Sequence, residues 1–270
     1  MIRKLVKYVF IIACLIVFFY VNNNWLTVSN HTIESPEIPT SFDGYRIVQV
    51  SDLHDAKFGD KQKRLVKKIQ QTKPDMIVIT GDIIDSNRYN LQNSLDLVDQ
   101  IVKIADVYYV TGNHEVATND VELIKEELTD HGVRVLSNET LNLELAGEAI
   151  SLTGIEDPLM GEVAYQMIAS SNVPSDAFNI LLAHRPEDFR AYVDAGIDVT
   201  FSGHAHGGQF RIPGVGGLVA PGQGYFPKYT AGIHEQDQSK LVVSRGLGNS
   251  IIPIRLFNLP EIVMVTLKSR

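Results

Sequence analysis

The sequence predicts an α/β fold, a domain of two packed β-sheets covered by helices and preceded by an apolar N-terminal helix. Three observations predict it. Five short apolar, β-branched runs read as buried strands: "YRIVQV", "DMIVIT", "DVYYVT", "NILLAH" and "DVTFSG". Segments of helical period separate the first three of them. An uninterrupted apolar run from Tyr8 to Val21 stands behind Arg3, Lys4 and Lys7.

The N-terminal run is short for a membrane span by itself, but Leu5 and Val6 extend it while Lys7 snorkels to the headgroups. Trp25 stands where an interfacial aromatic belongs. A cleaved signal peptide would need small residues that "VNNNWLTVS" lacks. A lipoprotein cysteine at Cys14 is disfavoured because the apolar run continues past it, and a buried core helix because of the basic leader. Residues 1–21 are therefore expected to be a single-pass anchor in the cell membrane. The basic residues precede the run and the next one is Arg46, so the positive-inside rule places the rest of the chain on the extracytoplasmic side.

Residues 22–43, with "NNN", Pro36 and Pro39, read as a tether. From residue 44 to 270 the pattern is that of one catalytic domain. In "KQKRLVKKIQQT" Leu65, Val66 and Ile69 share a helical face. In "LQNSLDLVDQIVKI" Leu91, Leu95 and Val98 do the same, and "DVELIKEELTDHG" stops at Gly132. This βαβαβ opening calls for a largely parallel sheet core. Between Arg134 and Thr153 short strands alternate as hairpins would, and "KLVVSRGL" and "EIVMVTL" are again strand-like. The Gly- and Pro-rich segment 211–236 is expected to line a cleft.

Composition narrows the function. The net charge of −8 argues against a nucleic-acid binder. A single cysteine excludes an intramolecular disulfide framework and a thiolate zinc cage.

The polar residues gather at the strand ends, in "SDLHD", "TGDIID", "TGNHE", "AHRP" and "SGHAHGG". Open α/β sheets bind ligands outside the carboxyl ends of their strands. Asp52, His54, Asp82, Asn113, His114, His184, His204 and His206 should thus share one edge. Asp52/His54 and His204/His206 are two apart, a spacing that points both side chains of each pair one way in extended backbone. Carboxylates and imidazoles without thiolate suit Mn²⁺, Fe²⁺, Zn²⁺ or Co²⁺. His31, His131 and His234 lie outside the pattern and read as structural.

Taken in order, "SDLH", "GD", "GNHE", a histidine before "RP", and "GHAHGG" resemble the blocks of the calcineurin-like metallophosphoesterases, in a branch of bacterial membrane-associated phosphodiesterases. The resemblance implies two mixed β-sheets packed as a sandwich flanked by helices, and two divalent metal ions per chain. It assigns Asp52, His54 and His206 to one ion, Asn113, His184 and His204 to the other, and Asp82 to both. It gives His114 to the substrate phosphate and the leaving group. The implied reaction is hydrolysis of a phosphodiester or pyrophosphate by a metal-bridging hydroxide. Candidate substrates include a lipid-linked or nucleotide-linked diphosphate. A catalytically inactive, metal-stabilised binding or sensor module is the alternative, and the unbroken ligand set argues against it.

Overall fold

The computed structural model describes residues 2–250 and 252–270. The chain begins with α1 (Ile2–Asn24) and β1 (Thr27–Ser35), then β2 (Arg46–Val50), α2 (Lys63–Thr72), β3 (Met76–Thr80) and α3 (Leu91–Ile101). It continues through β4 (Asp106–Val110), α4 (Asn113–Ala117), α5 (Val121–Asp130), β5 (Arg134–Val135), β6 (Glu139–Leu145) and β7 (Glu148–Gly154). After α6 (Ala164–Ser170), β8 (Asn179–Leu182), α7 (Phe189–Asp194) and β9 (Val199–Ser202) come two small hairpins. These are β10 (Arg211–Ile212) with β11 (Gly216–Gly217), and β12 (Val219–Ala220) with β13 (Gly224–Tyr225). The long strands β14 (Gly232–Gln236), β15 (Ser239–Val243) and β16 (Glu261–Ser269) close the fold.

Two six-stranded sheets result, ordered β1-β16-β2-β3-β4-β5 and β14-β15-β9-β8-β7-β6. Both are mixed. In the first, only the β16–β2 pair is antiparallel. In the second, β14 and β6 are antiparallel edges on a parallel centre.

The alternation within each strand builds the layers. On β3, Met76 and Val78 face the second sheet, while Ile77 and Ile79 face α2, α3 and α5. On β8, Ile180 and Leu182 face inward and Leu181 packs beneath α6 and α7 with Met167 and Tyr192. The central strands read as continuous apolar runs because both of their faces are covered. The predicted sandwich of mixed sheets flanked by helices is the fold observed.

α1 is the described helix long and apolar enough to cross a membrane, and it is almost wholly exposed, which removes the core-helix alternative. Its 23 residues span about 35 Å at ~1.5 Å per residue.

The expected tether at 22–43 is corrected. Asn22 is buried; its side chain donates to the Phe18 carbonyl (2.9 Å) and accepts the Phe257 N–H (2.7 Å). The Asn23 side chain accepts the Arg255 N–H at 2.9 Å. Residues 27–35 then run parallel to β16, pairing Thr27 with Glu261 through Ser35 with Ser269. "TVSNHTIES" lacks a strand signature because β1 is an edge strand, burying Ile33 alone. The region 134–153 differs in one detail: β5 extends the first sheet in parallel to β4, and the hairpin is β6–β7.

Ile33 is 1% exposed between β1 and the second sheet. Ile33→Ala is expected to cost about 2–5 kcal/mol in urea unfolding. A chain starting at residue 44 should melt well below one starting at residue 26, because it strips β16 of its nine-residue pairing with β1 and turns it into an edge strand held by β2 alone.

Candidate metal centre

Five strand ends deliver the polar residues to one edge of the sandwich. The turns after β2, β3 and β9 are short because several of their residues adopt left-handed backbone. Asp52 has φ 51°, His54 47°, Asp82 52°, His204 64° and His206 47°. Such conformations cost about 1–3 kcal/mol each for non-glycine residues, and Asp and His are among the types that tolerate them. The extended i, i+2 geometry expected from the sequence is therefore not what brings each pair to the site; left-handed turns do so. Glycines clear the space around them. A Cβ on Gly203 would collide with Ser51 and Asp52, and one on Gly112 with Asp82.

All eight predicted residues meet at this edge, seven of them in two groups of donor atoms. In the first, His54 Nε2 lies 3.1 Å from His206 Nε2 and 3.7 Å from Asp82 Oδ2, and His206 Nε2 lies 3.5 Å from Asp52 Oδ1. In the second, His184 Nε2 lies 3.2 Å from Asp82 Oδ2, 3.2 Å from His204 Nδ1 and 3.2 Å from Asn113 Oδ1. Asp82 Oδ2 belongs to both. The carboxylates and the four imidazoles of these groups are buried; Asn113, at the start of α4, is half-buried.

The electrostatics favour cations. His54 is pushed down to about 3, and His204 and His206 well below the usual histidine value, foremost by burial. All three are neutral at pH 7 and offer lone pairs. Burial also raises Asp52 to about 6. Burial would raise Asp82 too, but His184, His54 and His114 outweigh it and hold the carboxyl well below the usual range. Burial would lower His184, yet Asp82 lifts it to about 10. The site thus holds an ionised carboxylate and rewards positive charge beside it.

The donor set fits divalent ions by a second test. Two ring nitrogens 3.1 Å apart in near-parallel imidazoles (28° between planes) leave lone pairs facing each other unless a cation or proton lies between. His184 Nδ1 can only donate to the Thr80 carbonyl (2.7 Å), which leaves Nε2, the atom whose proton a cation would replace, turned to the centre.

His114 stands apart from both groups. Its Nδ1 accepts the Ser86 N–H at 3.1 Å, so the proton of the neutral ring sits on Nε2, 3.0 Å from Ser250 Oγ. It lines a cleft of about 420 Å³ together with Asp82, Asn113, His204 and His206. Val219, Ala220, Pro221 and Ile252 form the apolar wall, so the segment 211–236 does line the cleft, in part. His31, His131 and His234 lie elsewhere; His131 Nδ1 meets Asp99 at 2.6 Å.

Several supporting residues escaped the sequence reading. Glu115 is fully buried and accepts the N–H groups of Asp82 (2.9 Å), Gly112 (2.7 Å) and Ile84 (3.2 Å), tying the second block to the third. Burial pushes it up to about 7. Glu187 lies 3.5 Å from His204 Nε2, and Asp85 3.8 Å from His114 Nδ1. Their positions inside "GNHE", "RPE" and "GDIID" were the available signal.

The comparisons agree with this geometry. Residues 45–208 match the family model for calcineurin-like phosphoesterases. The chain is 33% identical over 256 residues to the uncharacterized metallophosphoesterase YkuE of Bacillus subtilis, covering 93% of this chain and 88% of that one. It is 29% identical over 229 residues to the phosphodiesterase YaeI of Escherichia coli, covering 83% and 82%. A transmembrane protein with a metallophosphoesterase domain from Danio rerio is 29% identical over 247 residues, covering 86% of this chain and 55% of that protein. With buried Asp/His groups that could hold a metal at the strand ends, these matches leave one conclusion: the chain belongs to the calcineurin-like phosphoesterase family and is a metal-dependent phosphoester hydrolase.

Proposed function

We propose that the protein is a membrane-anchored phosphoesterase working with two divalent ions, and that it hydrolyses a phosphodiester or pyrophosphate bond. The observation that carries this reading is Asp82 Oδ2, which stands 3.7 Å from His54 Nε2 and 3.2 Å from His184 Nε2. One buried carboxylate oxygen serving two imidazole groups is the donor arrangement of a bridged pair of ions.

Asp52, His54 and His206 would hold one ion and Asn113, His184 and His204 the other, with Asp82 common to both. Mn, Fe, Zn or Co suits such donors. When bound, the pair would lower the pKa of a shared water and draw charge from the phosphoryl oxygens. The chain's own residues supply the rest. Gly112 lets Asp82 and α4 approach closely, and Glu115 fixes the Asp82 backbone through its N–H. The His114 Nε2–H faces the cleft, positioned to donate to a phosphoryl or leaving-group oxygen.

The substrate would be a phosphoester presented at the membrane, with a lipid-linked or nucleotide-linked diphosphate as the leading candidate. Support comes from the cleft wall: Ile252 and Ser250 belong to the same strap whose Arg255 and Phe257 are bonded to the end of α1. The anchor would be single-pass with the catalytic domain extracytoplasmic, supported by Arg3, Lys4 and Lys7 ahead of the apolar run.

Asp82→Asn should abolish turnover of a chromogenic phosphodiester and damage both sites, whereas His206→Ala should weaken mainly one; metal analysis after desalting reads both. Retention of two ions and normal activity in Asp82→Asn would overturn the ligand map. His114→Ala should keep the metal content of the parent and lower kcat by ~10²–10⁴, with a smaller loss for a nitrophenolate leaving group. Protease added to intact spheroplasts should degrade the catalytic domain; digestion only after lysis would reverse the orientation.

A further inference from the structure

This inference rests on reading α1 as a membrane anchor. The chain leaving α1 is clamped rather than free. Asn22 and Asn23 bind the Phe257 and Arg255 N–H groups, Asn23 also accepts from Asn249 Nδ2 (3.1 Å), and the Asn24 carbonyl accepts from Arg64 Nη2 (2.8 Å). Phe18 packs edge-on against Phe257, with centroids 5.3 Å apart. The anchor therefore cannot swing independently of the domain, and its axis fixes which face of the domain meets the bilayer.

That face has two halves. On one side of the helix end, the strap exposes Ile252 (37%), Ile254 (38%) and Phe257 (57%). The loop joined to it through Gln209, whose side chain donates to the Ile252 and Ile254 carbonyls (2.9 and 2.7 Å), leads to the exposed Tyr225 and Phe226. Scattered apolar side chains are ordinary on a surface, but a cluster beside an apolar helix marks an interaction face. Beyond the helix end, Trp25, Arg64, Lys67 and Lys68 line a hollow of about 360 Å³. α2 carries four basic residues and no acidic one, and among the described residues Lys67 and Lys68 make no ion pair. Such a basic face stands out on a chain of net charge −8.

We infer that this collar is an interfacial docking surface whose partner is an anionic phospholipid layer. Arg64, Lys67 and Lys68 meet headgroup phosphates, Trp25 sits at the headgroup level, and Ile254, Phe257 and Tyr225 reach the acyl boundary. The charge complementarity and the continuity with α1 select lipid over a protein partner. Ile252 belongs both to this face and to the cleft, so the seated domain opens its catalytic cleft at headgroup level.

The test uses the full chain in lipid nanodiscs, on a Cys14→Ser background, with a fluorophore at Ile254→Cys or at Glu144→Cys. Residue 144 lies on β6 near its hairpin turn with β7, at the end of the second sheet away from the catalytic edge. Discs carry a headgroup-level spin-labelled quencher in neutral lipid or in lipid containing phosphatidylglycerol. Hydrolysis of a chromogenic phosphodiester by each labelled protein verifies folding. Quenching several-fold stronger at 254 than at 144 is expected, strengthened by anionic lipid. Lys67→Glu with Lys68→Glu should remove that strengthening, each lysine contributing about fivefold to the seated population. Equal quenching at both positions in disc-bound protein would overturn the docking surface while leaving the anchor intact. Quenching at 254 insensitive to lipid charge and to both reversals would overturn the role of α2. Recovery of the protein free of discs would overturn the anchor and the docking surface together.

Discussion

The burial of the Asp82 carboxylate is the constraint on which the rest depends. It is 1% exposed, and a buried charge of this kind carries a desolvation penalty of several kcal/mol unless positive charge and hydrogen bonds offset it. Here Oδ1 accepts the His114 N–H at 2.8 Å and Oδ2 faces two imidazoles. Holding that arrangement requires a left-handed residue at the end of β3, a glycine at 112 and the buried Glu115. Asp52, His54, Asp82, His204 and His206 all carry left-handed backbone at the site, as other residues do elsewhere in the chain, and the double-layered apolar core is what can bear that strain here.

The same sheets link the site to α1. β16 lies between β1 and β2, so the strand that leaves α1 is two positions from the strand that delivers Asp52 and His54. The strap from Gly248 to Asn258 closes the circuit. Buried Arg255 donates to the Gly248 carbonyl (3.2 Å from Nε) and to the Arg245 carbonyl (2.8 Å), while Asn258 donates to the His206 carbonyl (2.7 Å). Burial lowers Arg255 to about 10, so it remains a cation at neutral pH. A perturbation at the end of α1 is therefore mechanically close to His206.

Sequence alone exposed the central strands and the polar residues that cluster at their ends, for separate reasons. Strands covered on both faces must be apolar throughout, so "DMIVIT" and "NILLAH" stand out. The donors stand out because buried His and Asp are rare without a task. Edge strand β1 did not, since one buried residue in nine leaves no pattern, and "NNN" looked like a linker although its side chains rivet a distant strap. Glu115 and Glu187 also stayed hidden: their roles depend on contacts made after the blocks fold together, and Glu is common beside any turn. The pairing of His204 with one donor group and His206 with the other was anticipated, but the turn geometry behind it was not.

The proposed function turns on one carboxylate, Asp82, coupling two metal sites in a single chain. Electron paramagnetic resonance of the protein titrated with Mn²⁺ tests it most directly. Two equivalents bound per chain with an exchange-coupled Mn–Mn signal, lost in favour of isolated Mn²⁺ when Asp82 is replaced by alanine, is the result expected from a shared carboxylate at ~3.5–4 Å separation. One equivalent per chain, or two magnetically independent ions in the parent protein, would contradict it.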